Sequence, residues 1–178
     1  GLLALIRQNK LEREQIKSWH FGFVLGPCIN ASGRLDTAKR SLQLLMEPSL
    51  ENASKLAKEL VELNDRRKDL TLKGIEDAKQ KIESQKLDQD KVMVVYLPQC
   101  HESLAGIIAG RIREQYHKPI FVLTDAEDGG IKGSGRSIEA YSMYEEMTKC
   151  GSLMTKYGGH PMAAGLSMNK ENIDQFRK

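Results

Sequence analysis

The chain has 178 residues, 40% hydrophobic and 29% charged, which is the composition of a globular protein with one medium or two small domains. Its formal net charge of +3 is too small for a diffuse basic field, so any grip on phosphate must come from placed residues. Three widely spaced cysteines and the lack of an apolar run of roughly 20 residues argue against a disulfide framework and a membrane span, and predict a protein of the reducing cytoplasm.

The first 34 residues are predicted to contain two short helices and an ordered loop. Residues 2–18 alternate apolar and charged positions at helical spacing, with a break near Asn9. Residues 20–34 contain three glycines and a proline but are too apolar for a linker, which predicts the loop. The opening lacks an initiator Met and begins inside a helix-like pattern, which we interpret as a start within a longer protein. Core packing, with base stacking as the alternative, is predicted for three aromatic residues: Trp19, Phe21 and Phe23.

The next segments are predicted to be helical. Residues 36–46 should form a helix with Asp36 as its N-cap and Leu42 and Leu45 facing inward, and Pro48 should end that unit. Residues 50–85 then read as one long helix or two abutting helices with an apolar stripe of Leu56, Leu60, Leu63, Leu72, Ile75 and Ile82.

A helix of that length would span about 54 Å at 1.5 Å per residue, which favours a connector between domains over a coiled-coil segment. The charged run at residues 65–69 is predicted to lie on its solvated face.

From residue 91 onward the pattern changes to strands and helices. A strand at 92–96, a helix at 103–116 and a strand at 120–123 predict a right-handed crossover between parallel strands. The elements predicted after it are a turn at 128–130, a strand ending at Arg136, helices at 142–149 and near 151–156, a strand at 162–168 and a helix at 170–177. The predicted fold class is α/β: a small mixed sheet flanked by helices, preceded by a helical segment and the long connecting helix.

One motif that could carry chemistry is Tyr157–Pro161. Gly158 and Gly159 could adopt positive φ and turn their N–H groups into an anion-binding nest, and His160 could add a donor or a charge. A tight turn with an incidental histidine is the alternative, and for the isolated motif it is the better one.

A second motif, Lys132–Ser137, combines glycines with Ser134, Arg136 and Ser137. Hydroxyl groups and a guanidinium beside a glycine-rich backbone suit phosphate, although a solvated hairpin is the alternative. The order of residues is not that of a Walker loop.

A third motif, Gly26–Arg34, offers Asn30 and Arg34 as phosphate or sugar donors, with a packed turn and a structural salt bridge as the alternative. A fourth places His101 between a strand and a helix, where it could line a ligand site or cap the helix. No compact cluster of aspartates and histidines of the kind a two-metal phosphodiesterase needs is visible in the sequence.

Taken together and in this order, these segments resemble the RecJ family of 5′-to-3′ single-stranded-DNA exonucleases, within the DHH phosphoesterase superfamily. Residues 26–34 and 63–67 resemble the end of that family's catalytic domain and the start of its connecting helix. The segments 101–111, 132–137 and 158–165 resemble motifs of the DHH-associated domain. Cys28 stands where the family often has Arg, and Cys100 stands where Trp is common.

The resemblance implies a three-part organisation, with a catalytic-domain remnant at 1–48, a connecting helix at 49–88 and a substrate-binding domain at 89–178. It implies metal-dependent hydrolysis of single-stranded DNA from a 5′ end, in repair and recombination, with Mn²⁺ or Mg²⁺ held by an N-terminal domain that this sequence lacks and no metal in the chain itself. It also implies a single-stranded-DNA-binding protein and a helicase as partners.

The site residues carried over from the resemblance are a catalytic His160 and a substrate-binding set of Asn30, Arg34, His101, Ser134, Arg136, Ser137, Gly158, Gly159 and His160. The chain alone is expected to be inactive. Two other functions stay open: a relative acting on nanoRNA or cyclic dinucleotides, for which a shorter connector than residues 50–85 is expected, and a non-catalytic nucleic-acid-binding module.

Overall fold

The computed structural model describes residues 1–127 and 129–178, which divide into two compact units, Gly1–Leu70 and Thr71–Lys178. The predicted turn at 128–130 includes Asp128, which lies outside the described residues. Around it, the Ala126 N–H donates to the Gly130 carbonyl at 2.8 Å, and Gly129 has φ 85°, a left-handed conformation that suits glycine.

The first unit is helical. Its helices, with the first part of the long α5, are α1 (Leu2–Gln8), α2 (Ser18–His20), α3 (Gly26–Leu35), α4 (Lys39–Met46) and α5 (Leu50–Gln85). A 3₁₀ turn at Arg13–Gln15 replaces the second of the two predicted N-terminal helices, and the break near Asn9 is confirmed.

The loop predicted at residues 20–34 is wrong, because a π-helical stretch, Phe21–Leu25, joins α2 to α3. Pro27 lies in the first turn of α3, where a missing N–H and a fixed φ are compatible with a helix. Gly26 is needed at the junction, because a Cβ there would lie 2.6 Å from the Phe21 carbonyl oxygen. The glycine and proline signals therefore mark a helix junction and not a loop.

The helix after α3 begins at Lys39, so Asp36 is not its N-cap. Asp36 follows the last residue of α3 and forms an ion pair with Arg40. Inside this pair of helices, the buried Ser41 hydroxyl donates to the Ile29 carbonyl at 2.7 Å and lies 2.7 Å from the Ser32 hydroxyl, which fastens α3 to α4.

The core of the first unit is formed by Ala4, Leu5, Ile6, Leu25, Cys28, Leu44, Ala53, Ala57 and Leu60. Leu44 is the inward leucine of α4, whereas Leu42 and Leu45 are 57% and 49% exposed, so their predicted orientation is wrong. The core packing predicted for the three aromatics is also wrong, since Trp19, Phe21 and Phe23 are 52%, 48% and 79% exposed.

Of the two predicted alternatives for residues 50–85, one long helix and two abutting helices, the single helix is confirmed, since α5 runs without interruption for 36 residues. Leu60 is buried as predicted, but Leu72 is exposed. In the second half of α5 the buried positions are Thr71, Gly74, Ala78 and Ile82. Gly74 admits close packing, because a Cβ there would lie 2.4 Å from Ile108 Cδ1.

The second unit is built on a mixed five-stranded sheet in the order β1-β2-β3-β5-β4. The strands are β1 (Met93–Tyr96), β2 (Ile120–Asp125), β3 (Ile131–Arg136), β4 (Met154–His160) and β5 (Ala163–Met168). The pair β1 and β2 is parallel, as predicted from the crossover, and the other three neighbouring pairs are antiparallel.

The helices of this unit are α6 (Glu102–Tyr116), α7 (Met143–Lys149) and α8 (Ile173–Phe176), with 3₁₀ turns at Leu87–Gln89, Gly151–Leu153 and Lys170–Asn172. The helix predicted near 151–156 is wrong, because only one 3₁₀ turn forms before β4 begins. The other predicted elements of this unit that lie in described residues are confirmed within a few residues of their bounds.

Helices α6 and α7 pack against opposite faces of the sheet. Buried side chains of α6 contact β2 and β3 on one face. On the other face, Phe121, Leu123, Ile131, Leu166 and Met168 form a core with Met143 and Met147 of α7 and Ile173 of α8. In β3, the odd-numbered residues face this core, which leaves the even-numbered residues on the face of α6.

Candidate nucleic-acid groove

Three neighbouring strands align their polar and glycine residues in rows across one face of the sheet. Strand register pairs each residue of β5 with one of β3 and one of β4, and successive residues of a strand alternate between faces. The rows on the side of α6 are Arg136–Ala163–His160, Ser134–Gly165–Gly158 and Lys132–Ser167–Lys156. We call this surface the groove face.

A groove of about 420 Å³ lies on the groove face, between these strands and the first turns of α6. Gly158 and Gly165 are paired in its centre and leave its floor without side chains. Its remaining polar lining comes from Glu102, Ser103, Lys132, Ser134, Lys156 and Ser167. Two lysines, three hydroxyls and a bare glycine floor are suited to an extended anionic chain that the protein holds by its backbone.

Arg136 is positioned by contact with α6. Its guanidinium Nη1 donates to the Gly135 carbonyl at 2.7 Å, and the side chain is half-buried. Gly106 provides the room, since a Cβ there would lie 2.7 Å from Arg136 Nη2 and 3.3 Å from Ser134 Oγ. The absence of a side chain at Gly106 therefore lets both the Arg136 guanidinium and the Ser134 hydroxyl pack closely against α6, beside the groove.

Lys132 is paired with Glu102 at 2.7 Å, with both side chains partly exposed. The ion pair joins β3 to the first turn of α6 and brings one carboxylate to the wall of the groove. Sequence reasoning did not assign Lys132, Lys156 or Glu102 to a site, and the only signal for Lys132 was its place in the segment 132–137.

The Gly-Gly-His motif lies in strand β4 and not in the predicted turn. Its backbone groups are spread along the ladder with β5, so the predicted nest of converging N–H groups is wrong. Gly159 is required by packing, since a Cβ there would lie 2.4 Å from the Ala163 carbonyl oxygen and 2.6 Å from Ala164 Cα. His160 is exposed at the end of β4, in the row of Arg136, and these two residues lie on the groove face next to the groove and not in its lining.

Ser137 and His101 have local roles in the structure. Ser137 is 1% exposed, and its hydroxyl donates to the Tyr141 carbonyl at 2.6 Å, so its predicted contact with substrate is corrected to a structural role. His101 is the N-cap of α6, where Nδ1 accepts the Ser103 N–H at 3.3 Å, the capping role that sequence reasoning had left open. His101 is exposed and is not among the residues that line the groove.

Asn30 and Arg34 lie in the first unit, one turn apart on α3, and are exposed and half-buried respectively. Arg34 lies near Arg67: the pKa of Arg67 is lowered by its burial and then by the charge of Arg34. Arg67 is half-buried, so the prediction that residues 65–69 all lie on a solvated face is wrong for this residue. Burial raises the pKa of the neighbouring Cys28 thiol.

Within residues 1–127 and 129–178, no three His, Cys, Asp or Glu side chains are grouped in a way that could hold a metal ion. Across the same described stretches, no helix combines the length and the apolar character that crossing a membrane requires.

Residues 89–178, which contain the groove, match the DHHA1 domain family. The chain belongs to this family, because the match covers half of its length. Single-stranded-DNA-specific exonucleases RecJ are similar over the whole chain: that of Salmonella typhimurium is 36% identical over 187 residues, and that of Bacillus subtilis is 33% identical over 178 residues. The chain covers 32% and 22% of these two proteins, so it spans a third or less of their length.

Solved structures agree with the fold. RecJ from Thermus thermophilus in complex with Mg²⁺ matches 99% of this chain with a TM-score of 0.84 at 29% identity, and the match covers 27% of that structure. An exonuclease RecJ bound to manganese matches 97% of the chain with a TM-score of 0.83 at 31% identity, covering 42% of that structure. The resemblance to RecJ and the α/β fold class are confirmed.

Proposed function

We propose that the chain is part of a metal-dependent 5′-to-3′ single-stranded-DNA exonuclease, and that it supplies one wall of the cleft that holds the DNA backbone. The observation that carries this proposal is the alignment of Arg136, Ser134, Gly158 and His160 on one face of three neighbouring strands. The names of the similar proteins, which act on single-stranded DNA, support the choice of substrate.

In this proposal the backbone is held by charge and hydroxyl groups without reading bases. Arg136 donates charge-assisted hydrogen bonds to a phosphate, and Ser134, whose Oγ also packs against α6 at Gly106, adds a neutral donor. The glycine pair in the centre of the groove lets the chain approach the sheet closely. Such contacts are independent of sequence, which suits an exonuclease.

His160 is proposed to orient the scissile phosphate or to stabilise its developing charge. It is exposed at the end of the same face as Arg136, and an imidazole can donate a hydrogen bond there in either protonation state. Gly159 places the histidine, because it lets β4 lie against β5 at this point.

Mn²⁺ or Mg²⁺ is proposed for the whole enzyme, since RecJ structures contain these ions. The described residues of this chain do not fit a metal site. We therefore assign to the chain only the binding and positioning of DNA. The three-part organisation (1–48, 49–88 and 89–178), roles for Asn30 and Arg34, a helicase and a single-stranded-DNA-binding protein as partners, and action in cytoplasmic DNA repair and recombination belong to the same proposal.

The uninterrupted α5 supports DNA over small nucleotides as the substrate. A relative acting on nanoRNA or cyclic dinucleotides was expected to have a shorter connector, whereas α5 has 36 residues and a length of about 54 Å at 1.5 Å per residue.

The test is binding of the 178-residue chain to a 5′-phosphorylated single strand, measured by fluorescence anisotropy. Arg136→Ala should weaken binding about tenfold, because a hydrogen bond to a charged group contributes about 1.5–3 kcal/mol. Lys149→Ala is the matched control: it also removes one positive charge, but from α7, which packs against the opposite face of the sheet. Equal affinities of the two variants would remove Arg136 from the site.

A further inference from the structure

The groove continues along the sheet beyond the residues that the proposed function uses. Row by row the groove face passes from Arg136 and His160, through Ser134 and Gly158, to a third row of Lys132, Ser167 and Lys156. The second and third rows line the groove itself, and the first row lies next to it on the same face. Neighbouring rows are two residues apart along each strand, which is about 7 Å. That spacing is of the order of the separation between successive phosphates of an extended single strand.

The third row is built for an anion. Two ammonium groups on the outer strands flank the hydroxyl of Ser167 on the middle strand, and all three residues line the groove. Lys132 is held in place by Glu102, and Lys156 is exposed. A row with donors at both ends and a hydroxyl between them can hold one phosphate from two sides.

A second hollow, of about 390 Å³, shares Lys132 and Ser167 with the groove and extends it past the end of the row. Its other lining includes Thr155, whose hydroxyl donates to the Ser167 carbonyl at 3.2 Å, and Asn169, whose amide adds a neutral donor. The groove face is therefore open beyond the third row, so a DNA strand lying along it could continue past that row.

We infer that Lys132, Ser167 and Lys156 form a further phosphate-binding position for single-stranded DNA, set off along the groove face from the position at Ser134 and Arg136. This inference rests on the proposed function and extends it from one phosphate to a track of successive phosphates. Glu102 acts against the bound phosphate: it positions Lys132 through their ion pair, but its charge repels the DNA.

Oligonucleotide length separates this position from the first one. The first and third rows are two row spacings apart, about 14 Å, which the two phosphates of a 5′-phosphorylated dinucleotide, pdTdT, do not span, whereas the phosphates of a six-residue strand, p(dT)6, do. We expect Lys156→Ala to weaken binding of p(dT)6 about fivefold and to leave pdTdT within twofold of the unchanged chain. Arg136→Ala should weaken both, and Lys149→Ala, the control from the opposite face, should weaken neither.

Salt dependence gives a second measurement on the same variants. Loss of one phosphate contact to a single strand should reduce the slope of log K against log salt by about 0.7, so Lys156→Ala should show this reduction with p(dT)6. Glu102→Gln should raise the affinity for p(dT)6 two- to threefold, because it removes the negative charge of the carboxylate. The glutamine side chain can still accept a hydrogen bond from Lys132. Lys156→Arg, which keeps the positive charge, should bind p(dT)6 as well as the unchanged chain does.

The outcomes distinguish the two proposals. If Lys156→Ala leaves the affinity for both oligonucleotides unchanged, or weakens both equally, the further phosphate-binding position is refuted. The proposed function would then still be supported by the effect of Arg136→Ala. If Arg136→Ala leaves the affinity for both oligonucleotides unchanged, the proposed role of Arg136 in DNA binding is refuted, whatever the effect of Lys156→Ala. Circular dichroism of each variant checks the fold, which a substitution at the exposed Lys156 should not disturb.

Discussion

Gly106 on α6 offers a perturbation that moves Arg136 without changing Arg136 itself. An alanine Cβ at this position would lie 2.7 Å from Arg136 Nη2, far inside van der Waals contact. The atom it meets is the end of a flexible side chain, so the guanidinium can swing away and the fold can stay intact. Gly106→Ala should therefore leave the protein folded but displace the Arg136 guanidinium from its position on the groove face.

Gly110 on the same helix provides a matched control, because a Cβ there would have nothing within 4 Å. Replacing a helical glycine with alanine stabilises a helix by about 0.8–1 kcal/mol. We expect Gly110→Ala to gain this amount, a rise in melting temperature of about 2–4 °C for a chain of this size. Gly106→Ala should gain less, since the displaced arginine loses its bond to the Gly135 carbonyl.

Binding separates the two variants more clearly than stability does. Displacing Arg136 should cost about tenfold in affinity for a 5′-phosphorylated single strand, from the loss of about 1.5 kcal/mol of charge-assisted hydrogen bonding. Gly110→Ala should bind like the unchanged chain. Anisotropy titrations and thermal unfolding of both proteins measure the two effects, and unchanged binding by Gly106→Ala would refute the reasoning that this contact positions Arg136 for DNA.

Four further predictions concern stability, pH and catalysis. Gly159→Ala should destabilise the chain by about 1–3 kcal/mol in denaturant titrations, because its Cβ would meet backbone atoms of β5, whereas Gly158→Ala should not, having nothing within 4 Å. Burial, and then the charge of Asp77, raises the pKa of Cys100 from 9.0 to about 11. As the pH rises, the Cys100 thiol therefore loses its proton in the unfolded state before it does so in the folded state, and the free energy of unfolding should fall between pH 9 and 11. The fall should be smaller in Cys100→Ala. An equal fall in the unchanged chain and in Cys100→Ala would assign the pH dependence to other groups. The 178-residue chain with Mn²⁺ should release no nucleotide from a labelled strand, and robust release would contradict the proposal that the chain only binds and positions DNA. In an enzyme that also carries the metal-binding domain, His160→Ala should lower turnover by at least tenfold, and near-normal turnover would show that this histidine has no part in the reaction.

The parts of the fold that sequence predicted well are those with a strong periodic pattern. The helical stripe of α5 and the β-branched runs of β1 and β2 carry their structure in local residue order. β4 was missed because it is an edge strand in which only Met154 is buried, so no alternation of apolar residues marks it. The α3 segment was missed because Gly26 and Pro27 are breakers in most contexts but fit the start of a helix.

The candidate site was predicted only in part, for a related reason. Ser134, Arg136, Gly158 and His160 could be proposed from motifs, and the sheet register brings them to one face. The role of Gly106 could not be predicted, since it depends on a contact with a residue 30 positions away. Ser137 was assigned wrongly because motif membership does not reveal which face of the chain is buried.

Packing explains some of the glycines in the sheet but not others. Gly133 and Gly135 face the core, where a Cβ would lie 2.5 Å from Leu123 and 2.2 Å from the Met143 sulfur, so packing alone accounts for them. At Gly158 a Cβ would meet nothing within 4 Å, and at Gly165 the nearest atom would lie at 3.8 Å.

Glycine inside a strand costs stability, because it loses more backbone entropy on folding and packs no side chain. At Gly158 and Gly165 no neighbouring atom of the chain requires that cost, since the space above them is open groove. What a side chain there would obstruct is a molecule lying in the groove. The pairing of these two residues in the row of Ser134 thus points to the same occupant as the charges do, an extended backbone that lies close against the sheet.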